Sequence, residues 1–275
     1  VRIVVTGGAG QLGRALVRRG PAAGHEIVAL DRAALDITDG AQLARVLARA
    51  APDAVINAAA YTAVDAAERA PDAAHAVNAT AAGQVAAAGV RAGARVLHVS
   101  TDHVFDGARA AAYDEDDPVR PINAYGASKA AGEALVRAAG GCVVRTSWLF
   151  AAGGNGFVQR ILARARREAA IDVAADQHGC PTWADDLADA LLALAGRPAL
   201  PDVIHWCGAP AVSRHAFARE IVRAAGLPTR VEPVATAGGA PRPGHVVLAT
   251  RCAAALGVPP RPWQRGLLAT VREAT

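Results

Sequence analysis

The sequence predicts an α/β fold, a Rossmann-type doubly wound parallel sheet with a smaller C-terminal substrate-binding lobe. Three observations predict it. Short β-branched runs alternate with alanine-rich helical stretches through the first half, the pattern of a parallel sheet covered by helices on both faces. A glycine-rich turn stands directly between the first strand-like run and the first helical one. At 275 residues the chain can bury a substantial core and fits one large domain or a domain with a smaller partner.

The elements follow in order. Residues 2–6 read as the first strand. Thr6-Gly7-Gly8-Ala9-Gly10-Gln11-Leu12-Gly13 comes next, with a helix over 11–19. Small residues in such a turn let the backbone approach a pyrophosphate, and a helix N-terminus offers unpaired N–H groups and partial positive charge. The second strand, 25–30, ends at Asp31, placed to hydrogen-bond an adenosine ribose 2′-hydroxyl as in NADH. Arg32 beside it could meet the 2′-phosphate of NADPH instead, so NADPH or NADH is expected. Alternation then gives a helix at 40–50, a strand at 54–58, a helix at 71–92, a strand at 95–100, a helix at 124–139 and a strand at 142–146. Past Asn155 a helix runs to about 168, with a strand at 171–174, a helix at 184–195 and a strand at 203–207. Residues 228–245, rich in Pro, Gly and Thr, are the most loop-like, as a surface loop or a substrate lid. The expected division is an NAD(P)-binding domain at 1–150 and a lobe at 151–275 that mainly binds substrate, with segments near 183–208 returning to the first domain.

Composition excludes several functions. The net charge of +4 is spread along the chain without a basic block, so nucleic-acid binding is not supported. No apolar run approaches the length of a membrane span, and residues 1–6 enter a strand with no signal peptide ahead of them, so a cytoplasmic protein is expected. Cys142, Cys180, Cys207 and Cys252 form no CxxC, and the eight histidines show no ligand spacing. Neither a disulfide framework nor a metal site is indicated. Magnesium stays open, because acids such as the 114–117 run could supply ligands, although a solvated acidic turn fits them as well.

The chain has one lysine, Lys129, among 28 arginines, four residues after Tyr125. With three tyrosines present, chance would place it there about once in ninety trials. Residues four apart share a helix face. A compact ammonium beside a phenol favours the phenolate and lowers a pKa near 10 by about 1–3 units, toward the range useful for acid–base work.

Thr101, Tyr125 and Lys129 together resemble the triad of the extended short-chain dehydrogenase/reductase family. Within it the chain resembles the dTDP-4-dehydrorhamnose reductases, over nearly its whole length. The resemblance is carried by the Gly10–Gly13 turn, Asp36-Ile37, the stretch from Asn57 to Asp65 with Glu68, Ser100-Thr101-Asp102-His103-Val104-Phe105, Arg145-Thr146-Ser147-Trp148 and Asp176-Gln177-His178-Gly179-Cys180-Pro181-Thr182. To Gly7, Gly13 and Arg32, read above as cofactor contacts from the turn and the strand end, it adds the implication that Gly10, Gln11, Leu12, Asp31, Asp36, Ile37, Ala60, Tyr61, Thr62, Val99, Tyr125 and Lys129 contact the nicotinamide cofactor. It implies that Thr101, Asp102 and Trp148 contact a dTDP-sugar substrate, and that Thr101, Tyr125 and Lys129 are catalytic. The implied reaction is reduction of the 4-keto group of dTDP-4-dehydro-L-rhamnose. A ketoreductase for another nucleotide-deoxysugar, or a dinucleotide-binding regulatory subunit like the β subunit of methionine adenosyltransferase, are the alternatives. Oligomeric state stays open, a homodimer among the options. The chain departs from the family at His103, where tyrosine is usual, at Cys180, where a small residue such as alanine is usual, and at Ala240-Pro241-Arg242-Pro243, where Ala-Arg-Arg-Pro is commoner. The Asn and Ser usual after that proline are replaced in Gly244-His245-Val246-Val247.

Overall fold

The interior strand-like runs of the first half are buried on both faces, as a parallel sheet requires: every residue of Ala54–Asn57 and Cys142–Thr146 is buried, whereas the edge run Glu26–Leu30 is half-buried to exposed. The computed structural model describes residues 1–274. In chain order the first half gives β1 (Arg2–Thr6), α1 (Gln11–Arg19), β2 (Glu26–Leu30), α2 (Gly40–Ala50), β3 (Ala54–Asn57), α3 (Val64–Arg69), α4 (Pro71–His75), a π-helical turn (Ala76–Ala81), α5 (Ala82–Arg91), β4 (Arg95–Thr101), α6 (Ala124–Ala138) and β5 (Cys142–Thr146). The second half gives β6 (Leu149–Phe150), α7 (Phe157–Ala165), β7 (Ala170–Ala174), β8 (His178–Gly179), β9 (Thr182–Trp183), α8 (Ala184–Ala195), β10 (Val203–His205), β11 (Val212–Ser213), α9 (Arg214–Ala224), β12 (Arg230–Val234), α10 (Arg251–Ala255) and α11 (Trp263–Arg272).

Six strands form one parallel sheet in the order β10-β5-β4-β3-β1-β2. The chain reverses its direction of travel across the sheet between β1 and β3. In open α/β sheets ligands bind at that switch point, outside the carboxyl ends of the strands. One face packs on α1 and α8 through Leu12, Leu16, Leu187 and Leu191, and the other on α2 and α5 through Leu43, Leu47 and Val85. Each such side chain contributes about 1.5–3 kcal/mol when fully buried. Helix α8 therefore lies on the sheet, and β10 extends it, although both follow the lobe's first elements.

A third core, built on Phe150, Ile161, Phe217, Ile221, Trp263 and Leu267, fills the C-terminal lobe. Two-stranded ladders frame it: β6 with β9, β7 with β12, and β8 with β11.

The structure corrects several sequence expectations. The helix expected over 71–92 runs unbroken from Pro71 to Arg91 but contains a π-helical turn at Ala76–Ala81, where the Asn78 amide bonds the backbone of Tyr61. The expected loop at 228–245 begins with β12, paired residue for residue with β7. Its Pro233 and largely exposed residues hide it from an alternation test. The helix after Asn155 closes at Ala165, and the strand at 203–207 ends at His205. Helices α3, α9, α10 and α11 have no counterpart in the sequence reading.

Candidate active site

Gly7 has φ +71°, and a Cβ there would stand 2.7 Å from the Ala59 backbone nitrogen. A Cβ at Gly13 would stand 2.4 Å from the Gly7 carbonyl oxygen. These absences bring α1 down onto the turn. Its N-cap, Gly10, has no side-chain cap, which leaves the first N–H groups of the helix for a ligand. A groove of about 560 Å³ opens here, lined by Gly7, Gly10, Gln11, Leu12, Gly13, Asp31, Arg32, Asp36, Ile37, Ala60, Tyr61 and Thr62. Twelve of the residues expected at the cofactor are thus brought to one surface. The Gln11 side-chain oxygen is buried there without a partner, so the cradle and an orphaned polar atom both fit a dinucleotide. Asp31 accepts the Ala34 N–H at 2.9 Å, holding a turn at the groove's edge. Arg32 is 89% exposed and reaches Asp36 at 3.7 Å, a guanidinium with freedom to meet a phosphate.

Val99, Thr101, Tyr125 and Lys129 line neither this groove nor the cavity described below; Thr101, Tyr125 and Lys129 lie buried, and Val99 half-buried, at the end of β4 and on α6. Asn123 caps α6 by accepting the Gly126 N–H at 2.7 Å. From that fixed start Tyr125, Lys129 and Glu133 follow on one face. Tyr125 is 9% exposed, and burial raises its phenol to about 12, with its hydrogen bond to the Thr101 side chain opposing that shift and the Asp102 charge adding to it. The expected lowering of the Tyr125 pKa by Lys129 is absent; desolvation sets the direction of the shift. Thr101 itself donates to Asp102 at 3.0 Å.

Lys129 is 1% exposed, and burial lowers its ammonium to about 8 against the raising effect of Glu133. Its Nζ lies 2.7 Å from the Val99 carbonyl and 2.9 Å from His98 Nε2. Behind it runs a polar chain through the sheet. Asn57 Oδ1 accepts from the Thr6 hydroxyl at 2.7 Å and from the Ala59 N–H at 3.2 Å. Its amide nitrogen is left to donate to His98 Nδ1 at 3.0 Å. The tautomer follows from this network: Nδ1 accepts, so Nε2 carries the proton of the neutral ring. A protonated Lys129 then meets an N–H, a second reason for its easy deprotonation.

A second cavity of about 450 Å³ adjoins the groove at Thr62 and is lined by Asp102, His103, Trp148, Arg160, Gln177, His178, Arg214 and Arg242, among others. Trp148 holds φ +45°, a conformation rare for a bulky residue and found at functional sites. Its indole lies against Gly179, where a Cβ would stand 2.6 Å from the ring, and Arg214 stacks over it at 3.6 Å. The half-buried Arg214 guanidinium is lowered to about 9 by desolvation, opposed by Asp102 and reinforced by Arg160 and Arg242. Trp148 therefore forms part of the cavity wall while also packing on the lobe's core.

Sequence reasoning missed Arg160, Arg214, Asn78 and His98. Arg214 opens α9, a helix with no motif, and only the fold carries it to Trp148. Asn78, alone among alanines, was a legible irregularity; it binds Tyr61 and the Ser128 hydroxyl. Three of the four acids at 114–117 are engaged elsewhere: Asp114 pairs with Arg251, Asp117 with Arg109, and the Glu115 carboxylate accepts the Cys252 and His205 N–H groups. Among the described residues no cluster of three His, Cys, Asp or Glu could hold a metal ion, and no helix is long and apolar enough to cross a membrane.

The comparisons with known proteins extend over the whole chain. The family described as RmlD substrate binding domain matches residues 1–275. A dTDP-4-dehydrorhamnose reductase of Mycolicibacterium smegmatis is 42% identical over 97% of this chain and 84% of its own length. A probable dTDP-4,6-dihydroxy-2-methyloxan-3-one 4-ketoreductase of Streptomyces antibioticus is 39% identical over 97% of this chain and 93% of its own. The crystal structure of dTDP-4-dehydrorhamnose reductase from Bacillus anthracis in complex with NADP superimposes with a TM-score of 0.94 at 35% identity, covering 100% of this chain and 99% of that one.

Proposed function

The chain belongs to the RmlD family of dTDP-4-dehydrorhamnose reductases, and from that premise we propose that it reduces the 4-keto group of dTDP-4-dehydro-L-rhamnose with NADPH or NADH, giving dTDP-L-rhamnose. The observation that carries this reading is the meeting at Thr62 of a glycine-cradled groove and a cation-lined cavity, with Thr101 and Tyr125 buried beside them. A dinucleotide and a nucleotide sugar are the pair such a site suits.

The groove residues Gly7, Gly10, Gln11 and Gly13 would hold the pyrophosphate, Asp31 and Arg32 the adenosine ribose, and Ala60, Tyr61 and Thr62 the inner half. When bound, the cofactor supplies hydride to the ketone carbon. Tyr125 donates its phenolic proton to the ketone oxygen. At about 12 the phenol is fully protonated at neutral pH, the form a donor needs, and it is still a stronger acid than an alcohol, whose pKa lies near that of water, about 16. Thr101 hydrogen-bonds the same oxygen as charge develops. Lys129, anchored on the Val99 carbonyl, holds the ribose beside Tyr125. Arg214, Arg160 and Arg242 supply the positive charge for the substrate diphosphate, while Trp148 and Asp102 wall the sugar. The lobe after residue 150 serves as the substrate half of the enzyme.

Reduced nicotinamide consumption, followed by absorbance with the keto sugar made in situ, tests the reading. The intact protein turns over; Tyr125→Phe loses about 10²–10⁴-fold in kcat while still binding NADPH. NADPH binding without turnover on this sugar would refute the rhamnose substrate. The Streptomyces relative's name favours one second reading, a ketoreductase for another dTDP-deoxysugar, and turnover of such a sugar in its place would select it.

A further inference from the structure

His103 occupies the position where this family usually carries tyrosine, and its ring is held from one side only. Asn123 Oδ1 is committed to the Gly126 N–H at 2.7 Å. The Asn123 amide nitrogen therefore faces the other way, donating to the Pro241 carbonyl at 2.8 Å and to His103 Nδ1 at 3.0 Å. With Nδ1 accepting, the proton of the neutral ring is on Nε2. Burial keeps the ring neutral by lowering its pKa, with Arg214 and Arg242 acting in the same sense and Asp102 and Asn123 opposing. Among the described residues Nε2 has no partner, and His103 borders the cavity that also holds Asp102 and Trp148. The ring packs edge-on against Tyr125, their centroids 5.4 Å apart.

We propose that His103 is a substrate-positioning residue, donating its Nε2–H to a sugar hydroxyl oxygen next to the reacting ketone, a role that rests on the reductase reading. The donor is aimed before substrate arrives: Asn123 sets the tautomer, and Asn123 is itself fixed by capping α6, the helix that carries Tyr125. The His103 ring borders the cavity and stands 5.4 Å, centroid to centroid, from the Tyr125 ring, so a hydroxyl bound by His103 would be near the oxygen that Tyr125 protonates. The class of substrate is thereby narrowed to keto sugars with a free hydroxyl on the carbon adjacent to the ketone. A site built to hydrogen-bond that hydroxyl rejects an analogue lacking it.

The test compares the intact enzyme with His103→Phe, which keeps the edge-on ring and removes the donor, and His103→Gln, whose side-chain amide restores one. Each is assayed with dTDP-4-dehydro-L-rhamnose and with its 3-deoxy analogue, and NADPH affinity is measured separately. His103→Phe is expected to lower kcat/KM about tenfold, mainly through KM, to leave NADPH affinity unchanged, and to erase the preference for the hydroxylated sugar. His103→Gln is expected to keep both preference and KM. An undiminished preference in His103→Phe, or equal losses in both variants, would overturn the role. An intact enzyme that binds NADPH but reduces neither sugar would instead sink the rhamnose reading on which the positioning role rests.

Discussion

Lys129 illustrates how burial reverses an expectation founded on sequence spacing. An ammonium four residues from a phenol should lower the phenol's pKa, yet Tyr125 rises to about 12 and Lys129 falls to about 8, because desolvation penalises both charged forms. On the proposed mechanism, the titration expected to limit activity is therefore that of Lys129. The pH profile of kcat/KM for NADPH, which reports the free enzyme, should fall as pH rises through about 8, when the ammonium is lost. Lys129→Arg should remove that limb at lower activity throughout. Stability carries the opposite sign. The folded pKa lies below the unfolded value of 10.5, so the cost of burying the charge is fully present below about 8. It is relieved as pH rises toward 10.5, and chemical denaturation across that window should show the gain.

Among the elements, α6 is the one on which chemistry and stability meet. Its Glu133 accepts a bidentate contact from Arg145 of β5 at 2.7–3.1 Å and the Ser100 hydroxyl at 2.5 Å, all buried. Removing one partner of a buried pair leaves a charge without compensation. Glu133→Ala should cost about 3–5 kcal/mol, read from the denaturation midpoint. The α1 turn makes a second test at this scale. Gly13→Ala forces a Cβ to within 2.4 Å of the Gly7 carbonyl and should weaken NADPH binding by about tenfold or more. Gly196→Ala, whose Cβ would approach nothing closer than 3.8 Å, should change neither binding nor stability measurably in the same titration.

At the scale of the whole molecule, charge joins the C-terminal segment to the sheet's helices. Arg261 reaches Asp186 at 2.9 Å and Asp189 at 2.8 Å, and Arg19 of α1 holds Asp189 at 2.6 Å. The Asp186 carboxylate is buried, so Arg261→Ala should lower stability by about 1–3 kcal/mol, visible in Tm, with kcat little changed. The opposite split is expected for Arg214→Ala. That variant strips the stacked cation from Trp148 and should raise KM for the nucleotide sugar about tenfold or more while Tm moves little.

The sequence by itself determined the alternation of strands and helices, the glycine cradle and the shared face of Tyr125 and Lys129. Each of these depends on neighbours within a turn or a strand, where steric and periodic rules act directly on local order. Only the tertiary structure decided the rest. It put β10 at the sheet edge, paired β12 with β7 despite its proline and exposure, and set a π-helical turn where Asn78 bonds Tyr61. It also carried Arg214 from a helix without a motif onto Trp148, and it made His98 the partner of Lys129 across β4 and α6. Long-range pairing and desolvation govern those outcomes, and both depend on which atoms are excluded from water once the chain has closed on itself.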